Sequence, residues 1–260
     1  MPFAENREVK LHWRADGTGA PLLLLNSIGC DLTLWDAALP HLKNFRVLRM
    51  DARGHGQSDA PPGDYSLDQL ADDALAVLSA AGVDKVAVCG LSLGGMIAMT
   101  LALKAPERVS ALILACTSAQ MDPQSWRTRI ETVRAGGMAA IADMVIGRFF
   151  SDEFRRDHVR EVERIRARLL KMSADGYANC GAAIRDMALK DRIAAIRLPT
   201  LIIAGTKDIS TPFDGHGSEI AERIAEAKVE MLATAHLAPV EAPGDFAGAV
   251  TAFLSEVSHG

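Results

Sequence analysis

The chain has 260 residues, 49% of them apolar, and 28 Lys and Arg against 33 Asp and Glu give it a formal charge of −5. That acidic balance argues against nucleic acid as the main partner, and the longest apolar runs are far too short to span a bilayer. The first residues lack a signal-peptide stretch, and Cys30, Cys89, Cys116 and Cys180 are scattered without metal-ligand spacing, so the expectation is a cytoplasmic protein with reduced thiols and no bound metal.

Strand-like runs alternate with helical patterns along most of the chain, as in a mostly parallel sheet flanked by helices. Val9 to Trp13 reads as an antiparallel edge strand. Leu22 to Leu25 is a strand that empties into Asn26-Ser27-Ile28-Gly29-Cys30, and Phe45 to Met50 is another, followed by the glycine-rich turn Asp51 to Asp59. Apolar residues at 67, 70, 74, 75, 78 and 81 predict a helix over 67–81, closed by Gly82. Val86 to Cys89 is a strand, and after Gly90-Leu91-Ser92-Leu93-Gly94-Gly95 a helix runs on to about Leu103, stopping before Pro106. Ala111 to Ala115 is the next strand.

From 119 to 197 the alternation stops. Pro123 opens a helix to Ala135. Ser151 is placed to cap one long helix to about Met172, with Phe154, His158, Val162, Ile165, Leu169 and Met172 on one packed stripe and pairs such as Asp152–Arg156 on the wet face. Asp175 is placed to cap a further helix through Asp186. Strands resume at Leu201 to Ala204, which leads into Gly205-Thr206-Lys207-Asp208, and at Val229 to Leu232, which leads into His236 and a terminal helix near Pro243 and Asp245. The division expected is a core of 1–118 and 198–260 with a helical cap inserted at 119–197.

Gly90 to Gly95, between a strand and a helix, has the form of a nucleophile elbow, in which a strained turn projects a serine hydroxyl and flanking glycines relieve the crowding. Ser92, Asp208 and His236 then follow in the serine, acid, histidine order of an α/β-hydrolase fold. The chemistry needs all three: imidazole takes the serine proton, and a carboxylate fixes its tautomer and stabilises the imidazolium. Asp214 is the rival acid, but it follows Pro212 and suits the start of the next helix. Among the other histidines, His55 belongs to the glycine-rich turn as an organiser, and His12, His41, His216 and His259 have no suitable position. An oxyanion hole is expected from the N–H of Leu93 and, in the loop after the early strand, of Ile28. A carboxylesterase of broader specificity shares these features, as do perhydrolases and carbon–carbon bond hydrolases. A ligand-binding receptor on a hydrolase scaffold is the alternative of another class.

Asn26 to Asp31, Asp51 to Ser58, Cys89 to Gly95 and Ala182 to Asp186 together resemble the 3-oxoadipate enol-lactonases, and Trp126, Gly137-Met138, Arg148 and Gly176-Tyr177-Ala178 also fit. Leu237-Ala238-Pro239-Val240-Glu241 departs from the family's frequent Ser-Asn-Ile-Glu, which bears on pocket shape rather than on the triad. The resemblance implies a cofactor-free serine hydrolase of aromatic catabolism that opens a lactone ring through an acyl-enzyme. It also implies a substrate carboxylate, for which Arg129, Arg148 and Arg185 are the candidate partners and Trp126 an apolar wall.

Overall fold

Continuous apolar runs such as Leu22–Leu25 and Ala111–Ala115 have no wet face, so their strands need cover on both sides. The computed structural model describes residues 2–259, leaving the His259 side chain outside the description, and it supplies that cover. Strands β1 (Phe3–Asn6), β2 (Val9–Asp16), β3 (Ala20–Leu25), β4 (Phe45–Met50), β5 (Val86–Leu91), β6 (Val109–Ala115), β7 (Thr200–Gly205) and β8 (Lys228–Leu232) form one sheet in the order β1-β2-β4-β3-β5-β6-β7-β8. The β1–β2 and β2–β4 pairs are antiparallel and every other pair is parallel. The arrangement is an α/β-hydrolase fold.

Central β5 and β7 are buried along their whole length. At the far edge β8 leaves Val229 and Met231 exposed. The opposite edge differs from expectation: Val9 to Trp13 lies one strand in, because β1 pairs outside it. β1 is only four residues long with one buried side chain, Ala4, too short to read by alternation.

Helix α1 (Leu67–Ala80) begins with a reciprocal capping box between Ser66 and Gln69, and its chain leaves through Gly82 at φ 64°. Helix α2 (Leu93–Lys104) is buried from Leu93 through Ala102 and has no wet face over that length. Between β6 and β7 the described residues form α3 (Pro123–Gly136), α4 (Ala142–Phe149), α5 (Asp152–Asp157), α6 (Val159–Lys171) and α7 (Ala174–Arg185), and no strand. After β7 come α8 (Ser218–Arg223), α9 (Ala238–Glu241) and α10 (Pro243–His259). No helix of the described residues is long and apolar enough to cross a membrane.

Four local expectations are corrected in the helical stretch. The single helix from Ser151 to Met172 is two, because His158 takes non-helical angles (φ −122°, ψ 44°) and separates α5 from α6. No glycine or proline marks that break. Phe154 instead stacks between Phe150, with centroids 5.2 Å apart, and His158, at 4.3 Å, and this ladder leaves His158 exposed rather than packed. Asp152 pairs with Arg155, one turn further along the helix, while Arg156 takes Asp157. The α7 cap is Ser173, whose hydroxyl accepts from Gly176 N, so Asp175 only adds favourable charge to the first turn.

Candidate active site

The turn from β5 to α2 is built by close approach. Ser92 sits at φ 56°, ψ −115°, a conformation costing about 1–3 kcal/mol for a residue other than glycine. Its N–H donates to Ala115 O at 2.9 Å, and its carbonyl accepts from Thr117 Oγ1 at 2.6 Å. A Cβ at Gly90 would lie 2.1 Å from Gly94 O, and one at Gly94 would lie 2.1 Å from Leu25 O. These backbone contacts explain why both positions are glycine.

Gly205 does the same for the other half of the site. A Cβ there would lie 2.5 Å from the carbonyl oxygens of Thr234 and Ala235, so only glycine lets the loop after β8 come against the end of β7. That approach brings His236 Nδ1 to 2.8 Å from Asp208 Oδ2. Asp208 Oδ1 accepts from Ser210 N at 2.7 Å and Thr211 N at 3.2 Å, and Oδ2 also accepts from Thr211 Oγ1 at 2.9 Å. Burial pushes the Asp208 carboxyl up, but the charge and hydrogen bond of His236, with the Ser210 and Thr211 donors, hold it below the ordinary range. Asp214 lies in the irregular turn before α8 and is not the acid that meets His236. The imidazole is 3% exposed and lies nearly parallel to the Phe149 ring, with centroids 6.1 Å apart. Glu241 ties the His236 loop to the helical stretch by accepting from Ala235 N at 3.0 Å and Ser151 N at 2.6 Å.

On the third side, the Asn26 side chain donates to Met50 O at 2.8 Å and accepts from Trp35 Nε1 at 2.7 Å, which pins the loop after β3. Within that loop Gly29 N donates to His55 Nε2 at 3.1 Å and Cys30 N to Ser27 O at 3.2 Å. Ser27 and Ile28 are then the loop residues that face the cavity holding Ser92 and His236. Leu93 opens α2, so its N–H has no intrahelical acceptor. His55, lowered by burial, stays a neutral acceptor that organises the loop.

The cavity has a volume of about 710 Å³. Trp126, Arg129 and Arg148 line it, with Tyr177 and His216, which the sequence did not single out as site residues. Arg185 does not line it: its guanidinium is held outside on Asp64 at 3.0 Å and Asp186 at 2.6 Å, which corrects that expectation. The Arg129 guanidinium lies 4.5 Å over the Trp126 ring and its Nη2 is 3.6 Å from Met144 Sδ. Arg148 is lowered by burial and then by the neighbouring Arg129 charge. Neither arginine is in an ion pair among the described residues, and the buried Tyr177 hydroxyl lies close to the Arg129 guanidinium and under the charge of Arg148. The acid in the lining, Asp122, is committed to the start of α3 through Gln124 N and Ser125 N. The cavity wall therefore carries two positive charges with no acid partner.

One group of possible metal ligands occurs among the described residues, Cys116, Asp208 and His236, with ligand atoms within 4.8 Å of one another. Asp208 and His236 already use those atoms on each other, and burial with the Asp208 charge keeps the Cys116 thiol protonated. Protonated thiol and bonded imidazole make this a poor donor set for a cation.

The family profile described as alpha/beta hydrolase fold matches residues 20–243. Among curated proteins, 3-oxoadipate enol-lactonase 2 of Acinetobacter baylyi is 34% identical over 236 residues, covering 90% of this chain and 88% of that one. Among solved structures, the enol-lactonase from Burkholderia xenovorans LB400 is similar with a TM-score of 0.95 at 33% identity, covering 98% of this chain and 100% of that one. A hydrolase from Pseudomonas aeruginosa PA01 is similar with a TM-score of 0.93 at 42% identity over 97% of each chain.

Proposed function

The chain belongs to the alpha/beta hydrolase family and, within it, to the 3-oxoadipate enol-lactonases, and from that premise we propose that it opens the ring of 3-oxoadipate enol-lactone in aromatic catabolism. In this reading residues 119–197 are a cap over the core of 1–118 and 198–260. Ser92 Oγ attacks the lactone carbonyl while His236 Nε2 takes its proton. Asp208 holds the imidazole through Nδ1 and stabilises the imidazolium. The N–H groups of Ile28 and Leu93 receive the oxyanion, each worth about 2.7–4 kcal/mol in the transition state.

Collapse breaks the bond to the ring oxygen, which leaves as an enol, a better leaving group than a simple alkoxide. The leaving group stays tethered to the acyl-enzyme, and its conversion to the ketone removes the nucleophile that would reclose the ring. Water activated by His236 then releases 3-oxoadipate.

The observation that carries the substrate choice is the pair Arg129 and Arg148, unpaired in the cavity that Ser92 and His236 share. A neutral ester has no use for two cations facing the cavity without acid partners, whereas a substrate carboxylate offers charge-assisted acceptors. The test is kcat/KM for freshly generated 3-oxoadipate enol-lactone against p-nitrophenyl butyrate. The lactone is expected to be strongly preferred, and Arg148→Ala should raise its KM about tenfold or more, the loss of one charged hydrogen bond. A preference for the neutral ester would reduce the reading to a general esterase.

A further inference from the structure

The cavity holds a second imidazole that the reaction above leaves unused. His216 Nδ1 lies 2.8 Å from Ser118 Oγ. That hydroxyl is 2.5 Å from Gln120 O, where only its own proton can lie, and it also accepts from Gln120 N at 3.2 Å. Ser118 therefore has no proton left to give, and the Nδ1 atom must carry the hydrogen between the two. The tautomer is fixed: Nε2 is the bare nitrogen, on a side chain that lines the same cavity as Ser92, His236 and Thr211. Burial lowers the His216 pKa, against the opposing charges of Asp208 and Glu219, so the ring is a neutral base at ordinary pH.

We propose that His216 is a second proton carrier, which converts the enol freed by ring opening into its ketone. The assignment rests on the lactonase reading, because only an enol leaving group calls for such a step. Nε2 accepts the enol O–H proton, and the imidazolium returns a proton to the adjacent alkene carbon. One O–H bond and the C=C π bond are lost, one C–H bond and the C=O π bond are formed, and His216 ends as it began. No oxidant, metal or further reactant enters. The step makes ring opening irreversible, since a ketone oxygen does not attack the acyl-enzyme.

The test compares His216→Gln with wild type on the enol-lactone and on p-nitrophenyl butyrate, whose leaving group has no keto form. The ratio of lactone to ester turnover should fall about a hundredfold, the low end for loss of a general acid–base. A packing defect would lower both activities together and leave the ratio where it was. In D₂O, deuterium should enter the carbon beside the new ketone from one face in wild type and from both faces in the variant. An unchanged ratio with unchanged one-face labelling overturns the assignment alone. A wild-type enzyme that hydrolyses the ester but not the enol-lactone removes the lactonase reading, and the assignment with it.

Discussion

At the scale of the residue, the strained Ser92 backbone is held by atoms that leave no room for a single added carbon. A Cβ at Gly94 meets Leu25 O at 2.1 Å, and a backbone carbonyl cannot swing aside as a side-chain tip can. Gly94→Ala should cost about 1–3 kcal/mol, the usual range for overpacking, read by urea unfolding, and should slow fluorophosphonate labelling of Ser92. Asp208 gives a second prediction. Its folded carboxyl titrates below its unfolded value of about 3.9. The stabilisation is therefore complete above that pH and is lost as pH falls through the folded pKa. Thermal melts should show wild type losing stability relative to Asp208→Asn only below about pH 4, whereas a parallel pH course would leave the carboxylate without that role. Ser92, Asp208 and His236 are legible in the sequence because each follows a strand end in a short, punctuated turn. His216 is not, because its position depends on a hydroxyl 98 residues away.

At the scale of the element, the helices between β6 and β7 decide which arginines see the cavity. Arg148 and Arg185 both stand in the last turn of a helix, and in the sequence they are indistinguishable. What separates them is packing. Gly54 and Gly176 meet backbone to backbone, where a Cβ at Gly176 would lie 2.2 Å from Gly54 O, and this seats α7 on the glycine-rich turn after β4. Arg185 then falls beside Asp64, which also holds Arg134 of α3, and is spent on the rim. Arg185→Ala should change stability by no more than about 1 kcal/mol, as for exposed ion pairs, and leave the lactone KM unchanged where Arg148→Ala raises it. A raised KM in Arg185→Ala would place the carboxylate at the rim instead. Periodicity gives these helices and their buried stripes, but not the angle at which one crosses another. It also passes over the break at His158, which rests on stacked rings rather than on glycine or proline.

At the scale of the whole molecule, the parallel strands β5, β7 and β8 all deliver their following loops to one end of the sheet, where ligands of such sheets bind. The central strands are readable because being covered on both faces leaves them uniformly apolar. The four-residue β1 is unreadable because its pairing with β2, and not its own composition, makes it a strand. Charge has the same logic: a net −5 says little of a cavity whose wall carries Arg129 and Arg148. In the proposed reaction this arrangement opens a lactone through Ser92. The direct measurement is single-turnover hydrolysis of 3-oxoadipate enol-lactone by wild type and Ser92→Ala, with melting temperatures recorded for both. Wild type should turn over the lactone, and the folded variant should lose at least about 10⁴-fold in rate, as expected when the nucleophile of a triad is removed. A folded Ser92→Ala enzyme that still opens the lactone at the wild-type rate would show that Ser92 is not the nucleophile.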